Sequence, residues 1–423
     1  MEIDIQHNWL EERRDDVIFK FIALLISPVL GMFAALLHLN TRSSFIALFI
    51  AFTFIGLTMD VPEDRTEEDN FDSIAYRAEF EAYSDNSSSD FRTMLAEYID
   101  MTSGTDFYSS MLCFIVSRFT ANYHVYFMVI AIIYSIFMLA VMRYLVREEN
   151  YTLSFLCLIL LFLFTQGQIQ QINVFRFYTA YWMALLAIFK IIQDGKPLYW
   201  LLLIVTPIIH GSFFIIFLIF AIYYIIRRSN KVAVITVLLS LAFSVIAVQI
   251  FSWVIMHLPE SLGGHYSGYI NEWYMERINE GGIGHKWIVR LMELAVRLSV
   301  NIAVLYLAWH YKDRIANSKC KNIYFFMMAV LAFVNFTFMI PSVGSRYVMF
   351  IFPIIAYIWL VCFAELKSRN WLMFAFGGLY LFYFLILPWN IYQIPCFRFY
   401  TMLWNADVVY GSPIYLFFKY VMI

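Results

Sequence analysis

Long apolar runs recur along the whole chain, and their length constrains the fold more than any other feature. A helix needs about 20 apolar residues to cross roughly 30 Å of hydrocarbon. The candidate spans are residues 17–39, 44–59, 121–142, 151–166, 172–193, 197–209, 212–226, 232–256, 287–310, 322–340, 347–366 and 371–388. Only 14% of the 423 residues are charged, against about 25% in a soluble domain, so lipid must cover most of the surface. The sequence therefore predicts an all-α fold, a single polytopic transmembrane helix bundle of about twelve spans over residues 1–423.

Two apolar segments are too short for ordinary spans. Residues 197–209 contain Pro207 and end at His210, and this pattern is typical of a broken or re-entrant helix. A membrane tolerates such a helix only where protein or a cavity satisfies the freed backbone groups. Residues 107–119 are also short, and we expect an interfacial or half-crossing helix there.

Lys and Arg residues are concentrated in alternate connections between the candidate spans. Because positive charge is retained on the cytoplasmic side, this pattern places both termini outside, together with two long external loops, 60–106 and 257–286. The first loop holds 14 acidic residues against 3 arginines. Arg13 and Arg14 conflict with an external N-terminus, although acidic residues surround them.

Sequence motifs of soluble enzymes are missing from this chain. It has no Gly-rich phosphate loop, no His-Glu-x-x-His motif and no Asp-x-Asp motif. Its five cysteines lack metal-ligand spacing, and a net charge of −2 gives no basic face for nucleic acid. We therefore expect no metal, no cofactor and no nucleic-acid partner.

Basic side chains near the outer ends of separate spans are the strongest candidates for a site. These are Arg176, His210, Arg290, Arg297 and Arg346. A single Arg near a helix end usually extends to the headgroups, and we expect this of Lys20 in the first span. Several cations at one leaflet would instead form a pocket that suits a phosphate or diphosphate. Arg297 has a second interpretation, an ion pair with Glu293 one turn earlier.

Short polar motifs follow one another in a recognisable order. The acidic loop contains Asp69-Asn-Phe-Asp72 with Tyr76, and then Asp106-Phe-Tyr108. The next motif, Asn173-Val-Phe-Arg176, precedes Ala180, and Ile209-His210-Gly-Ser212 follows at the end of the short span. A weaker element is Gly344-Ser-Arg-Tyr347.

These motifs resemble those of the EpsG family of exopolysaccharide-biosynthesis membrane proteins, which are relatives of the Wzy-type O-antigen polymerases. The resemblance runs from about Gly56 to Tyr224 and returns weakly at residues 344–347. Phe177 stands where the family usually has Gln, so no amide role is carried over to that position. The resemblance implies a multi-pass protein of the bacterial cytoplasmic (inner) membrane with a role in exopolysaccharide, capsule or O-antigen synthesis.

The resemblance further implies a glycosyltransferase that polymerises polyprenyl-diphosphate-linked oligosaccharide repeat units on the outer face. A hydroxyl of one unit would attack the anomeric carbon of another, and lipid diphosphate would leave without any nucleotide. Cations fixed at the leaving group would stabilise its charge, a role for Arg176, Arg346 and Arg290. Arg297, Tyr76 and Asn173 are predicted substrate-binding residues.

The attacking hydroxyl also needs a proton acceptor. His210 and Asp72 are the two candidates, and the sequence does not choose between them. Asp72 equally fits a solvated acid in an acidic loop, and His210 fits a histidine satisfied at a helix junction.

Other functions remain compatible with the sequence. A flippase for lipid-linked oligosaccharide should carry charges along a central path rather than at one leaflet. A sugar O-acyltransferase would take its acyl donor from the cytoplasm, and a non-catalytic assembly partner would not need the cations. The expected partners are the lipid-linked oligosaccharide, membrane lipid, a chain-length regulator and other polysaccharide-assembly proteins.

Overall fold

The computed structural model describes residues 9, 11–36, 39–59, 61–63, 72–85, 88–100, 107–146, 170–257, 286–363 and 412–422. All regular secondary structure in these residues is helical, which confirms the predicted all-α class. Two candidate spans, 151–166 and 371–388, lie outside the described residues. The same holds for residues 258–285 and for parts of the loop 60–106.

Nineteen α-helices lie within the described residues. The first seven are α1 (Arg14–Ile26), α2 (Pro28–Leu36), α3 (Arg42–Leu57), α4 (Asp72–Asp85), α5 (Ser88–Ile99), α6 (Phe107–Ser117) and α7 (Tyr123–Val146). The next six are α8 (Gln170–Asn173), α9 (Phe175–Ile192), α10 (Tyr199–Ile209), α11 (Ile215–Ile226), α12 (Asn230–Ala242) and α13 (Ala247–Met256). The last six are α14 (Lys286–His310), α15 (Lys312–Ala316), α16 (Lys321–Phe336), α17 (Pro341–Tyr347), α18 (Ile351–Phe363) and α19 (Pro413–Val421).

Four of the described helical segments are long and apolar enough to cross a membrane. They are Tyr123–Val146, Phe175–Ile192, Asn230–Met256 and Lys321–Met339. Five further predicted spans, 44–59, 197–209, 212–226, 287–310 and 347–366, coincide with shorter apolar helices. The predicted total of about twelve spans is therefore not confirmed.

The predicted first span, residues 17–39, folds back on itself instead of crossing as one helix. α1 ends at Ile26, Ser27 is extended (φ −158°, ψ 137°), and α2 begins at Pro28. A Cβ atom on Gly31 would lie 2.8 Å from the Cα atom of Leu24, so the two helices pack in direct contact. At 1.5 Å per residue they are about 20 and 14 Å long, and neither length crosses the hydrocarbon alone.

Lys20 does not extend to the headgroups, so that expectation was wrong. Its side chain is only 1% exposed, and its ammonium group forms an ion pair with Glu12. It also donates to Thr41 Oγ1 at 2.9 Å and to Ser43 Oγ at 3.2 Å. A buried ammonium needs such partners because an unpaired buried charge is costly.

The N-terminal segment therefore lies beside the beginning of α3. The guanidinium carbon of Arg143, in the last turn of α7, is 3.0 Å from the ring centre of Trp9 and 5.9 Å from that of Phe45. At the opposite end of α3, a Cβ on Gly56 would lie 2.5 Å from the carbonyl oxygen of Phe127. α3 and α7 are thus antiparallel. They approach each other closely at Gly56, because glycine has no side chain to keep the two backbones apart.

One end of the bundle, which we call the basic end, gathers Arg42, Arg143 and Lys190. Tyr144 Oη donates to Asp194 Oδ1 at 2.5 Å, and Lys190 binds the other carboxylate oxygen of Asp194 at 2.8 Å. Since α9 begins at Phe175 and carries Lys190 in its last turn, its first turn lies at the opposite end. We call this the site end.

Two helical hairpins have their tips at the site end. α10 and α11 pair at their open ends through Trp200 and Phe220, whose ring centroids are 4.7 Å apart, and His210 lies at their tip. α16 and α18 are joined through α17, and the Tyr347 ring lies 5.4 Å from that of Phe333 near the end of α16.

Candidate functional site

The first part of the site forms where α4 meets the break between α8 and α9. The helix is interrupted at Val174 (φ −118°, ψ 45°), and Asn173 turns its side chain toward the start of α4. Its Oδ1 accepts a hydrogen bond from the backbone N–H of Ser73 at 3.0 Å. Because the first N–H groups of a helix have no partner within it, Asn173 fixes the beginning of α4.

One turn along each helix, Tyr76 and Arg176 meet. Arg176 Nε donates to Tyr76 Oη at 2.9 Å, and the guanidinium carbon lies 5.2 Å from the Tyr76 ring centre. The buried Tyr76 ring packs edge-on against Phe175 at 4.6 Å, and Phe175 is 5.6 Å from Tyr108. This aromatic support holds Arg176, which is half-buried, in one orientation.

The second part of the site is the tip of the α10–α11 hairpin. Pro207 lies inside the last turn of α10 and has no N–H to donate to the carbonyl of Leu203, four residues earlier. The hydroxyl of Thr206 donates to this carbonyl at 2.7 Å instead. The helix therefore persists to Ile209, and the chain turns at His210, which is extended (φ −151°, ψ 112°).

His210 caps the 3₁₀ turn Gly211–Phe214 with its own ring. Its Nδ1 atom lies 3.3 Å from the backbone nitrogen of Ser212 and 3.0 Å from Ser212 Oγ. The ring is 7% exposed, so it is buried in protein rather than open to water. Phe177 and Phe213 pack against it with ring centroids 5.5 and 6.1 Å away.

The third part of the site is α17, which closes on the hairpin tip. Tyr347 Oη donates to the carbonyl oxygen of Ser212 at 2.6 Å. The half-buried Arg346 places its guanidinium carbon 5.5 Å from the ring centre of Phe177. Phe177 is 1% exposed and contacts both the His210 ring and Arg346, so it joins the hairpin tip to α17.

Arg297 supports α17 from α14. Its side chain is 7% exposed, and Nη1 donates to the carbonyl oxygen of Phe338 at 3.0 Å. A Cβ on Gly344 would lie 3.2 Å from Arg297 Nη2 and 3.1 Å from the carbonyl oxygen of Thr337. Gly344 is therefore needed for this close approach. The predicted ion pair with Glu293 involves a side chain outside the described residues.

Six of the predicted site residues lie in these three parts of the structure. Tyr76, Asn173 and Arg176 form one group, and His210, Arg346 and Arg297 belong to the second and third parts. Phe177, which follows Arg176 directly in the chain, contacts His210 and Arg346.

Two predicted residues stand apart from this arrangement. Asp72 begins α4 but its side chain is exposed, as expected of a solvated acid. Arg290 lies on α14, and its side chain is outside the described residues.

Sequence reasoning missed several residues of this site. The sequence gives no sign that Phe177 contacts His210 and Arg346, or that Ser212 and Tyr347 contact each other. Glu79 was missed entirely: on α4, its carboxylate accepts hydrogen bonds from Ser109 Oγ at 2.9 Å and Ser110 Oγ at 2.5 Å. Its position one turn after Tyr76 was the available signal, because residues i and i+3 share a helix face.

The fold and this site define a helical membrane protein whose candidate site lies at the end of an apolar bundle opposite the basic end. The chain belongs to the EpsG family, whose sequence model matches residues 45–402. This match is wider than the motif resemblance and includes every predicted site residue. Comparisons with curated proteins and with solved structures found no match.

Proposed function

We propose that this protein polymerises polyprenyl-diphosphate-linked oligosaccharide repeat units on the outer face of the bacterial cytoplasmic membrane. The product would be an exopolysaccharide, a capsule or an O-antigen. Membership of the EpsG family supports a role in exopolysaccharide synthesis. The site end would face outward, because the opposite end carries Arg42, Arg143 and Lys190, and positive charge is retained inside.

The observation that carries the proposal is that His210 and Arg346 both contact Phe177, the residue that follows Arg176 in the chain. These residues come from three separate helical segments, and each could satisfy its charge or hydrogen bonds more simply at a headgroup. Each of them instead contacts protein side chains: Tyr76 for Arg176, Ser212 for His210 and Phe177 for Arg346. Cations held in place in this way suit a group that gains negative charge.

In the proposed reaction, a sugar hydroxyl oxygen forms a bond to the anomeric carbon of a second unit. The bond between that carbon and the diphosphate oxygen breaks, and its electron pair leaves with the lipid diphosphate. Arg176 and Arg346 would stabilise the leaving diphosphate, since guanidinium groups bind phosphate through paired hydrogen bonds. The hydroxyl proton passes to a base, for which Asp72 and Glu79 on α4 are carboxylate candidates.

Chain length in a deletion strain tests the proposal. A strain that lacks this protein should accumulate lipid-linked single repeat units on the outer face and make no polymer. Complementation with the wild-type chain should restore polymer, whereas Arg346→Ala at equal protein level should not.

Three other outcomes would contradict polymerisation. Absence of the repeat unit from the outer face would indicate a flippase. Polymer of normal length with altered acylation would indicate an O-acyltransferase. Normal polymer in the Arg346→Ala strain would indicate an assembly partner that does not use the cations.

A further inference from the structure

The contacts of His210 determine which ring nitrogen carries a proton. The backbone N–H of Ser212 points at Nδ1, with 3.3 Å between the two nitrogens. A backbone N–H can only donate a hydrogen bond, so Nδ1 must present its lone pair. The Ser212 hydroxyl, 3.0 Å from the same atom, then donates as well. A proton on Nδ1 would face the amide hydrogen directly.

Ser212 is itself held in position by α17. Tyr347 Oη is 2.6 Å from the Ser212 carbonyl oxygen, and this oxygen can only accept, so the tyrosine hydrogen is committed to it. The 3₁₀ turn after His210 is thereby fixed from both sides. Phe177 meets the imidazole at an interplanar angle of 86°, which restricts rotation of the ring.

We infer that His210 acts as a hydrogen-bond donor through Nε2–H toward the leaving diphosphate, and that Ser212 is the residue that positions it. A neutral imidazole with an unprotonated Nδ1 carries its proton on Nε2. In this state Nε2 donates and cannot accept the proton of the attacking hydroxyl. This inference rests on the proposed function for its ligand, but the state of the ring can be measured separately.

One consequence concerns the base. If the only lone pair of His210 is occupied by Ser212, the proton acceptor must be another group. Glu79 is a described carboxylate whose two oxygens are oriented by serine hydroxyls. His210 would then belong with Arg176 and Arg346 as a group that binds the leaving diphosphate.

The protonation state can be measured directly by NMR of the full chain in lipid nanodiscs, with ¹⁵N-labelled histidine. The signals lost in His210→Ala identify this ring among the eight histidines. We expect an unprotonated Nδ1 and a protonated Nε2 at neutral pH. In Ser212→Ala the Nδ1 signal should shift because one of its two donors is lost, with no change of tautomer. A ring protonated on Nδ1, or on both nitrogens, would overturn the inference.

A pair of substitutions tests the donor role. The side-chain nitrogen of Gln can occupy the position of Nε2, while its oxygen replaces the lone pair of Nδ1. Asn can also accept from Ser212 but is too short to place a donor at Nε2. Hydrogen bonds to charged groups are worth about 10- to 100-fold in binding, so His210→Asn should lose that much affinity for geranylgeranyl diphosphate. His210→Gln should lose less than about threefold.

The two tests separate failure of the inference from failure of the proposed function. Equal loss in His210→Gln and His210→Asn, with wild-type binding intact, would contradict the donor role. If the wild-type protein does not bind geranylgeranyl diphosphate, the proposed ligand is wrong. The NMR result would then still decide the tautomer and the positioning role of Ser212.

Discussion

Phe177 meets His210 edge to face, with 5.5 Å between ring centroids and 86° between ring planes. The same phenylalanine lies 5.5 Å beneath the guanidinium carbon of Arg346. An apolar ring thus lies between two polar groups of the site and contacts both. Edge-to-face aromatic pairs are worth about 0.5–1.5 kcal/mol, and cation–π contacts about 0.5–2 kcal/mol.

Substitution of Phe177 by Leu keeps an apolar side chain but removes both of these contacts. We expect polymer synthesis to fall about fivefold or more, since the lost contacts sum to roughly 1–3.5 kcal/mol and about 1.4 kcal/mol is tenfold in rate. Repeat-unit turnover by purified protein in nanodiscs measures this. Phe220→Leu is the matched control, because Phe220 is also a buried ring but lies 4.7 Å from Trp200 at the open end of the α10–α11 hairpin, away from the site. Equal losses in the two variants would mean that Phe177 serves only packing.

The sequence identifies many of the residues of this site, but it does not show which side chains contact each other. The motifs identified Asn173, Arg176 and His210 because polar and ionisable residues are rare within apolar runs. The partner of Arg176 is 100 residues earlier, and that pairing depends on how the amphipathic α4 packs on the bundle. Hydropathy carries no information on how helices pack against each other. The contacts of Phe177 with His210 and Arg346 could therefore not be predicted.

Some of the membrane spans could likewise be predicted from the sequence, and one could not. Residues 232–256 and 322–340 were predicted within a few residues because charged residues bound each apolar run. Residues 17–39 were predicted as one span because hydropathy is continuous across the turn. The available signal was Ser27-Pro28, since a residue before proline disfavours helical geometry.

Arg176 is expected to be indispensable. Arg176→Ala should abolish polymer at unchanged protein level, and Arg176→Lys should restore it only in part, because an ammonium cannot form paired hydrogen bonds to phosphate. Tyr76→Phe, which removes the 2.9 Å hydrogen bond to Arg176, should raise the KM for lipid-linked substrate roughly tenfold. Arg228→Ala removes an exposed cation after α11, at the open end of the α10–α11 hairpin, and serves as the charge control. Full activity in Arg176→Ala would show that this residue merely contacts the headgroups.

Gly344 should not tolerate a methyl group. In Gly344→Ala the new Cβ would approach the Thr337 carbonyl oxygen to 3.1 Å and Arg297 Nη2 to 3.2 Å. The backbone at Thr337 cannot move away easily, and overpacking typically lowers the stability by about 1–3 kcal/mol. We expect a lower melting temperature in detergent together with reduced turnover. Gly195→Ala, at a position with no atom within 4 Å but with φ of 62°, is a control for backbone strain alone. Unchanged stability in Gly344→Ala would disprove the close approach.

The Glu12–Lys20 pair predicts a dependence of stability on pH. Burial alone would raise the pKa of Glu12, but hydrogen bonds from Lys20 and Ser43 and the charge of Lys20 outweigh it and lower the pKa. A carboxyl group with a lowered pKa in the folded state stabilises the fold above its ordinary value of 4.5. This stabilisation is lost as the pH falls through the lower, folded-state pKa. Thermal unfolding of wild type and Glu12→Gln should therefore differ at pH 7 and converge in acid. A constant difference at all pH values would exclude the linkage.

The last prediction concerns the side of the membrane on which the N-terminus lies. Glu12 contacts Lys20 and Ser43, next to the start of α3, and Trp9 lies against Arg143. If the basic end is cytoplasmic, the N-terminus is cytoplasmic too, contrary to the expectation from twelve spans. Arg13 and Arg14 then agree with the retention of positive charge on the cytoplasmic side. In this arrangement the chain enters α1 and leaves α2 on the same side of the membrane.

Cysteine labelling with a membrane-impermeant maleimide tests this arrangement. Glu11→Cys should react only after the membrane is breached, whereas Ser88→Cys and Ser267→Cys, in the two predicted external loops, should react in intact cells. The parent chain controls for its five cysteines, of which Cys113, Cys320 and Cys362 are buried. Labelling of Glu11→Cys in intact cells would show that the N-terminus is not on the cytoplasmic side. Protection of Ser88→Cys in intact cells would show that the bundle has the opposite orientation. The site end would then face the cytoplasm, where an outer-face polymerase could not work.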